Sequence, residues 1–477
     1  MRGPAKDLAV RTNTQRGVAP GTNGYRERDP ANTLYAFQED ARLKDAKENR
    51  FDVIADPRVR GAVKDFYEAF FDPEKLIRWW AGLYDPERGG FYYANSARDH
   101  EGFLPDMEST YQILWRLHDF IPDLADYFGQ EITERIVSFY QTKQDPRDGY
   151  FYHPQWTKEE SRKNVMRYTR DQDWAIFVLG WLHSAPLYPT ALDRAAKTEV
   201  KTDGAQQRYG ISKYSKGWLP NRASVTEYVR ALLADTTCEH WSNQLDTQAT
   251  TFRASGTIDA VIDVLDRTVN PAYGLWVSDY DATRDLYYNM KTVPETETPY
   301  GIYTNAYKVA KTYNIAGRLI PYAIKMVENG IKAICSRDPG IRLTYVFNPW
   351  ATLGNVRENL VDYGTPETVA AYDALIRENI VEMLDALASS LGKYRSADGS
   401  YSYLQGGSKE TIYDTPVSLG LKEGDVNGNN LAVLLPTHIC KAVGLPEMIP
   451  IFNQSHADLM LDLMKRAPAI RKIEKQA

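Results

Sequence analysis

A short turn sequence recurs six times along this chain of 477 residues and constrains its fold more than any other feature. The copies begin at Asp85, Asp145, Asp203, Asn270, Asp338 and Asp398, in steps of 60, 58, 67, 68 and 60 residues. In the fullest copies Pro fixes φ, the first side chain accepts hydrogen bonds within the turn, and Gly adopts positive φ without strain. Six such turns at a nearly constant interval predict six copies of one supersecondary unit.

Helical patterns flank these turns. Apolar residues recur at helical spacing over 107–117, and residues 173–182 and 430–436 are apolar nearly all round. Amphipathic segments precede several turns, at 59–80, 131–140, 319–335 and 367–391. One such hairpin cannot bury its own apolar surface. The sequence therefore predicts an all-α fold, an (α/α)6 toroid or six-hairpin barrel with short loops at one mouth, and an open helical solenoid is the alternative.

The fullest turn resembles a loop that is common in the six-hairpin toroid superfamily. It reads Asp85-Pro86-Glu87-Arg88-Gly89-Gly90-Phe91-Tyr92, and the resemblance covers about residues 58–466. The resemblance implies the toroidal fold. It leaves the chemistry open, because the superfamily includes glycoside hydrolases, polysaccharide lyases, N-acyl-glucosamine and cellobiose 2-epimerases, and a terpene dehydratase-isomerase.

The predicted domain organisation has two parts. Residues 1–50 form an extended amino-terminal arm, and residues 51–477 form a single toroidal catalytic domain. No segment approaches the about 20 apolar residues of a membrane-spanning helix. The arm also lacks the apolar core of a signal peptide. We therefore expect a cytoplasmic protein without a membrane partner, whereas secretion would require a signal peptide removed ahead of Met1.

The charge and the cysteine content limit which ligands and partners this protein could bind. The formal net charge is −6 and no basic stretch is dense enough for nucleic acid. Cys238, Cys335 and Cys440 match neither a disulfide framework nor a metal-binding spacing. Phosphate-loop, dinucleotide and HExxH motifs do not occur. We expect no cofactor and no metal, and a saccharide or other small molecule as the ligand; the oligomeric state stays open.

The candidate catalytic residues are acids at the starts of helices that follow the turns. In a closed ring these starts would face one mouth and surround one cavity. Crowding and burial there should raise the pKa of at least one acid. Acids in a first helical turn can instead cap free backbone N–H groups. The predicted catalytic residues are Asp106, Glu108, Asp171, Asp173 and Asp425.

Aromatic and polar groups near these acids suit a sugar ligand. Aromatic faces pack on the C–H faces of a sugar ring, and amides or charged groups reach its hydroxyls. Aromatic residues after a turn can instead pin the loop to the helices. The predicted substrate-binding residues are Tyr111, Tyr168, Arg170, Trp174, Trp276, Tyr303, Trp350, Asn427, Asn430 and His438.

Paired carboxylates predict hydrolysis of a glycosidic bond. A protonated carboxyl assists the leaving oxygen, and an ionised one attacks C1 or activates water. One member of the preferred pair is Asp171 or Asp173. The other is Asp106 or Glu108, and Asp425 is the third candidate.

The main alternative is a lyase that cleaves a uronate-containing glycan by β-elimination. Such an enzyme needs a Tyr or His base and an Asn or Arg that neutralises the substrate carboxylate. Tyr168, Arg170, Asn427, Asn430 and His438 could supply these groups. A sugar epimerase is disfavoured because no convincing pair of histidines lies on the inner helices. A non-carbohydrate isomerase and a non-catalytic glycan-binding toroid are further alternatives.

Overall fold

The computed structural model describes most of the chain from residue 50 onward and is mostly helical, which confirms the all-α prediction. The predicted arm, apart from residue 50, and the turn at Asp203 lie outside the described residues. The described ranges are 50–153, 155–163, 165–190, 193, 221–235, 238–276, 279–281, 286–288, 303–412 and 415–474.

The helices are numbered here along the chain. The first ten are α1 Pro57–Phe70, α2 Pro73–Gly82, α3 Asn95–Arg98, α4 Met107–His118, α5 Leu124–Gln141, α6 Lys158–Lys163, α7 Val165–Trp181, α8 Arg222–Asp235, α9 Cys238–Ala254 and α10 Ile258–Thr268. The remaining ones are α11 Tyr303–Ala316, α12 Ala323–Cys335, α13 Leu343–Tyr363, α14 Pro366–Leu391, α15 Val426–Ala442 and α16 Gln454–Glu474. Two short antiparallel hairpins pair β1 Asp279–Asp281 with β2 Leu286–Tyr288, and β3 Thr411–Ile412 with β4 Thr415–Pro416.

The turns at 85, 145 and 270 share one hydrogen-bonding pattern, which confirms the predicted turn chemistry. In each, the glycine N–H donates to the carbonyl of the first turn residue at 2.7 or 2.8 Å. The side chain of that first residue accepts from the backbone N–H two residues later. The glycines are Gly89, Gly149 and Gly274, with φ of +80°, +80° and +67°.

Proline and capping residues decide where helices begin. The predicted amphipathic segment 59–80 is split into α1 and α2, because Pro73 starts a new helix whose cap, Asp72, accepts the Lys75 N–H at 3.1 Å. Thr365 and Thr368 form a capping box at the start of α14. The predicted segments 107–117 and 430–436 lie within α4 and α15.

Six helices contact one another in a continuous series. α4 packs against α7 and α15, α13 packs against α15 and α11, and α11 packs against α9. Other helices pack in pairs, among them α12 with α14, α14 with α1, α16 with α2, and α8 with α10. No helix in the described part of the chain is long and apolar enough to cross a membrane.

Hydrogen bonds join the loops that follow four of the turns into one loop cluster. Gln155, after the second turn, accepts from the Leu104 N–H and donates to the Pro416 carbonyl, both at 3.0 Å. Isolated antiparallel bridges pair Phe91 with Asp106, Ala94 with Asp425, and Arg342 with Leu404. Helices α4 and α15 therefore begin in the same loop cluster.

Replacing Gly89 with Ala should destabilise the protein. Gly89 has φ of +80°, and a Cβ there would lie 2.2 Å from the Arg135 carbonyl oxygen. The backbone conformation alone costs an L-residue about 1–2 kcal/mol, and displacing Arg135 adds to that. Gly61→Ala in α1 is the control, since no atom lies within 4 Å of its Cβ position and helix propensity favours Ala by up to about 1 kcal/mol. Urea unfolding measures both, and a neutral Gly89→Ala would contradict the expected strain.

Candidate functional site

Asp106 holds the start of α4. Its side chain is buried, and Oδ2 accepts hydrogen bonds from the Ser109 N–H and hydroxyl, both at 2.9 Å. Its own N–H donates to the Phe91 carbonyl at 2.9 Å. Asp106 is thus an N-cap that also ties α4 to the first turn.

Asp425 plays a similar part at the start of α15. It is fully buried, and Oδ1 accepts from the Gly428 N–H at 2.7 Å. Oδ2 accepts from the Tyr403 N–H at 2.8 Å and the Lys409 N–H at 3.3 Å. Burial raises the pKa of this carboxyl to about 6, although the backbone donors act in the opposite direction. The expectation of one raised pKa among the acids is confirmed, with burial as the largest cause.

Glu108 belongs to a buried polar group that joins α4 to α15. Its Oε1 accepts from Gln112 Nε2 at 3.0 Å, and the same nitrogen donates to Asn427 Oδ1 at 2.6 Å. The Tyr93 phenol lies close enough to Asp425 and Glu108 that, after burial, their charges raise its pKa well above the ordinary value. We call Glu108, Gln112, Asn427 and Tyr93 the α4–α15 polar cluster.

The adjacent side of α4 carries an aromatic stack against α7. The Tyr111 ring lies between Trp174 and Trp181, with centroid distances of 5.2 and 5.5 Å and interplanar angles of 17° and 15°. Burial raises the pKa of Tyr111 to about 12. Arg170 Cζ lies 5.7 Å from the Trp174 ring. The structure therefore brings Tyr111, Trp174 and Arg170 together.

Two further acids lie on α7, which packs against α4. Asp171 is buried, whereas Asp173 is half-buried, and the charge of Asp173 reaches Tyr111. Asp106 and Asp171 lie near Lys143, a residue that the sequence did not single out. Burial lowers the pKa of Lys143 to about 7, against the opposing effect of these two carboxylates. All five predicted acids thus lie on or beside α4.

Several predicted binding residues lie elsewhere. Trp276 is buried, and its Nε1–H donates to the Leu265 carbonyl at 2.9 Å. Trp350 is fully buried in α13. Both therefore act as core residues here. Tyr168 and Tyr303 lie on α7 and at the start of α11, but their side chains lie outside what the structure describes.

Asn430 and His438 lie further along α15. Asn430 Oδ1 and His438 Nδ1 are buried and have no hydrogen-bond partner in the described structure. The His438 ring lies 5.0 Å from Phe347 and 6.1 Å from Tyr307. Burial, followed by nearby positive charges, lowers the pKa of His438 to about 3. The imidazole is therefore neutral at physiological pH.

A buried ion-pair group on α9 and α11 was missed by the sequence analysis. Lys308 Nζ lies 3.1 Å from Asp246 Oδ2, and Lys311 Nζ lies 2.9 Å from Asp246 Oδ1. The two lysines are three residues apart, so they share one helix face. Two lysines at this spacing, on either side of the buried residues Val309 and Ala310, are the feature of the sequence from which an ion-pair site could have been predicted. We call Asp246, Lys308 and Lys311 the Asp246 ion-pair group.

Comparison with known proteins identifies no relative of this chain. No family model matches the chain, and neither curated proteins nor solved structures give a match. Within the described ranges, no group of three or more His, Cys, Asp or Glu residues is placed to hold a metal ion. The function must therefore be argued from the side chains themselves.

The raised pKa of Asp425 predicts a pH-dependent stability. In the unfolded chain this carboxyl titrates near its ordinary value of about 4, and in the folded protein near 6. Its contribution to stability is therefore complete below pH about 4 and is lost as the pH rises through about 6. Two units of pKa correspond to a change of about 3 kcal/mol.

Asp425→Asn removes the titrating carboxyl, so the difference in stability between wild type and variant isolates the contribution of Asp425. Urea unfolding of both proteins between pH 4 and 7.5 should show wild type losing stability relative to the variant as the pH rises. Other titrating groups cancel in that difference. A difference that is constant with pH would show that folding does not change the pKa of Asp425, and one of opposite slope would show that folding lowers it.

Proposed function

We propose that the chain closes into an (α/α)6 toroid, a six-hairpin barrel, and acts as a carbohydrate-active enzyme. The contact series α7–α4–α15–α13–α11–α9 supports this architecture. Each of these helices follows one of the six turn sequences along the chain. In this proposal α7 and α9 complete the ring, and the loop cluster lies at the mouth that admits the substrate.

The reaction we propose is hydrolysis of a glycosidic bond, and the position of Glu108 is the observation that carries it. Glu108 is a buried carboxylate at the start of α4, with the amides of Gln112 and Asn427 beside it. One turn further along α4, Tyr111 stacks on Trp174. Amides and aromatic faces together suit the edge and the faces of a pyranose ring.

We assign the catalytic pair to Glu108, beside the amides of Gln112 and Asn427, and to Asp173, whose charge reaches Tyr111. Asp106 and Asp425 serve as helix caps. In this proposal Glu108 is the proton donor to the leaving oxygen. Asp173, half-buried on α7, is the base or nucleophile.

Two buried amide oxygens also support a ligand rich in hydroxyl groups. Gln112 Oε1 and Asn430 Oδ1 lack hydrogen-bond partners in the described structure. Buried polar atoms are usually paired, and an unpaired one costs about 1–3 kcal/mol. Sugar hydroxyls are donors that would satisfy both oxygens.

Glu108→Gln should abolish most of the activity and preserve the fold. Loss of a general acid typically lowers the rate by about 10²–10⁴-fold. The Gln side chain can still accept from Gln112 Nε2, so the thermal midpoint should change little. Turnover of the best substrate in a glycan panel, together with the melting temperature, measures both effects.

Glu101→Gln is the matched control, because Glu101 is exposed a few residues ahead of α4. It should leave turnover and melting temperature unchanged. Full activity of Glu108→Gln would rule out this carboxyl as the acid. A large fall in melting temperature without a change in turnover would assign Glu108 a structural role.

A second candidate function, β-elimination of a uronate-containing glycan, is favoured by Arg170 beside the aromatic stack. Its Cζ lies 5.7 Å from the Trp174 ring, whereas Arg116 is paired with Asp119 at 2.8 Å. A guanidinium would neutralise the carboxylate of a uronate. Neutral His438, with Asn427 and Asn430 on the same helix, could serve the proton transfer.

Isotopically labelled water separates the two reactions. Hydrolysis breaks the C–O bond with one water, so one product gains the label and the summed product mass exceeds the substrate by one water. Elimination consumes no water and leaves a ring double bond that absorbs ultraviolet light. Mass spectrometry should find the label in the new reducing end or anomeric hydroxyl. Unlabelled products with new ultraviolet absorbance would show that the reaction is elimination and not hydrolysis.

A further inference from the structure

The Asp246 ion-pair group holds more positive than negative charge. Both ammonium groups, Lys308 and Lys311, share the single Asp246 carboxylate at 3.1 and 2.9 Å. Burial acts to lower the pKa of Lys311, but the Asp246 carboxylate raises it above its ordinary value. Two charged ammonium groups and one carboxylate leave one surplus positive charge.

Solvent reaches this group. The side chain of Asp246 is 10% exposed, and those of Lys308 and Lys311 are 20% and 36% exposed. The carboxylate is therefore less exposed than its two partners. Each ammonium has three donors, so the pairing with Asp246 leaves donors on both for another acceptor.

The lysines lie on the side of α11 that contacts Asp246 of α9. Elsewhere on α11, Tyr313 is fully buried, and its hydroxyl donates to Asp266 of α10 at 2.6 Å. The lysines lie around half-buried Tyr307, with Nζ atoms 4.7 and 5.6 Å from its ring centroid.

Residues of two other helices converge on the same place. His438 of α15 lies 6.1 Å from the Tyr307 ring, and its buried Nδ1 lacks a hydrogen-bond partner in the described structure. The charge of Arg170, on α7, is also felt at Lys311. Arg170 therefore adds positive charge near Lys311, and the imidazole of His438 is neutral.

We propose that Lys308 and Lys311, beside Tyr307 and His438, bind the anionic group of the ligand, so that the substrate is an acidic sugar. The ammonium groups supply the charge, and the Tyr307 ring supplies an apolar face beside it. Asp246 is a positioning residue that holds the two lysines together. The sugar part of this inference rests on the proposed function, whereas the anion site does not.

Single lysine substitutions test the site without unpairing Asp246. Lys308→Met or Lys311→Met removes the surplus charge and leaves one ammonium on the carboxylate. Calorimetric titration of the full chain with glucuronate, glucose and inorganic phosphate at low salt measures binding. We expect glucuronate to bind at least about tenfold more tightly than glucose, and either substitution to weaken it by about 10- to 100-fold.

Two further variants sharpen the test. Lys325→Met is the control, because Lys325 is an exposed lysine of α12 paired with Glu328, and its loss should leave all affinities unchanged. Asp246→Asn removes the carboxylate that holds the two lysines together, so it should weaken glucuronate binding even though it adds net positive charge. A purely structural ion pair would instead lower the melting temperature in every Asp246 and lysine variant without altering any affinity.

The outcomes distinguish this inference from the proposed function. Equal binding of glucose and glucuronate, unchanged in the lysine variants, overturns the anion site and leaves a carbohydrate enzyme in place. If the wild type binds phosphate but neither sugar, and the lysine variants lose phosphate binding, the anion site is supported and a sugar ligand is ruled out. Failure of all three probes to bind overturns the inference.

Discussion

The buried carboxylate of Asp425 is the interaction on which the arrangement of the loop cluster depends. It accepts backbone N–H groups from its own helix and from Tyr403 and Lys409 in the preceding loop. Its backbone bridges to Ala94 after the first turn. Without it, buried N–H groups would lose their acceptor, at about 1–3 kcal/mol each. The raised pKa is the consequence of placing a carboxylate where water cannot reach.

The two aspartate caps also determine the geometry of the proposed active site. Asp106 fixes the start of α4 and Asp425 fixes the start of α15. The two caps place Gln112 within reach of Glu108 and Asn427 at once. Asp106 and Asp425 thus have a structural role, and in the proposed function they pre-organise Glu108 and Asp173.

Charge divides the contacting helices into two regions. The starts of α4 and α15 collect carboxylates and amides, whereas α9 and α11 carry the Asp246 ion-pair group. Neutral His438 and half-buried Tyr307 lie near the second region. A ligand with a scissile bond at one end and an anionic group at the other would complement both regions. One ligand would then account for both the proposed reaction and the proposed specificity.

The local features of this protein can be predicted from its sequence. Turn chemistry, helix positions and the helical class follow from contacts between near neighbours, and the cap at Asp106 agrees with the tendency of acids in a first helical turn to cap backbone N–H groups. Folding in three dimensions is what makes Trp350 a core residue, brings Asp425 to the preceding loop, and brings Asp246 to Lys308 and Lys311. These outcomes depend on burial and on distances between segments remote in sequence. Desolvation and Coulomb energies depend on those distances. The distances cannot be read from the order of residues along one chain.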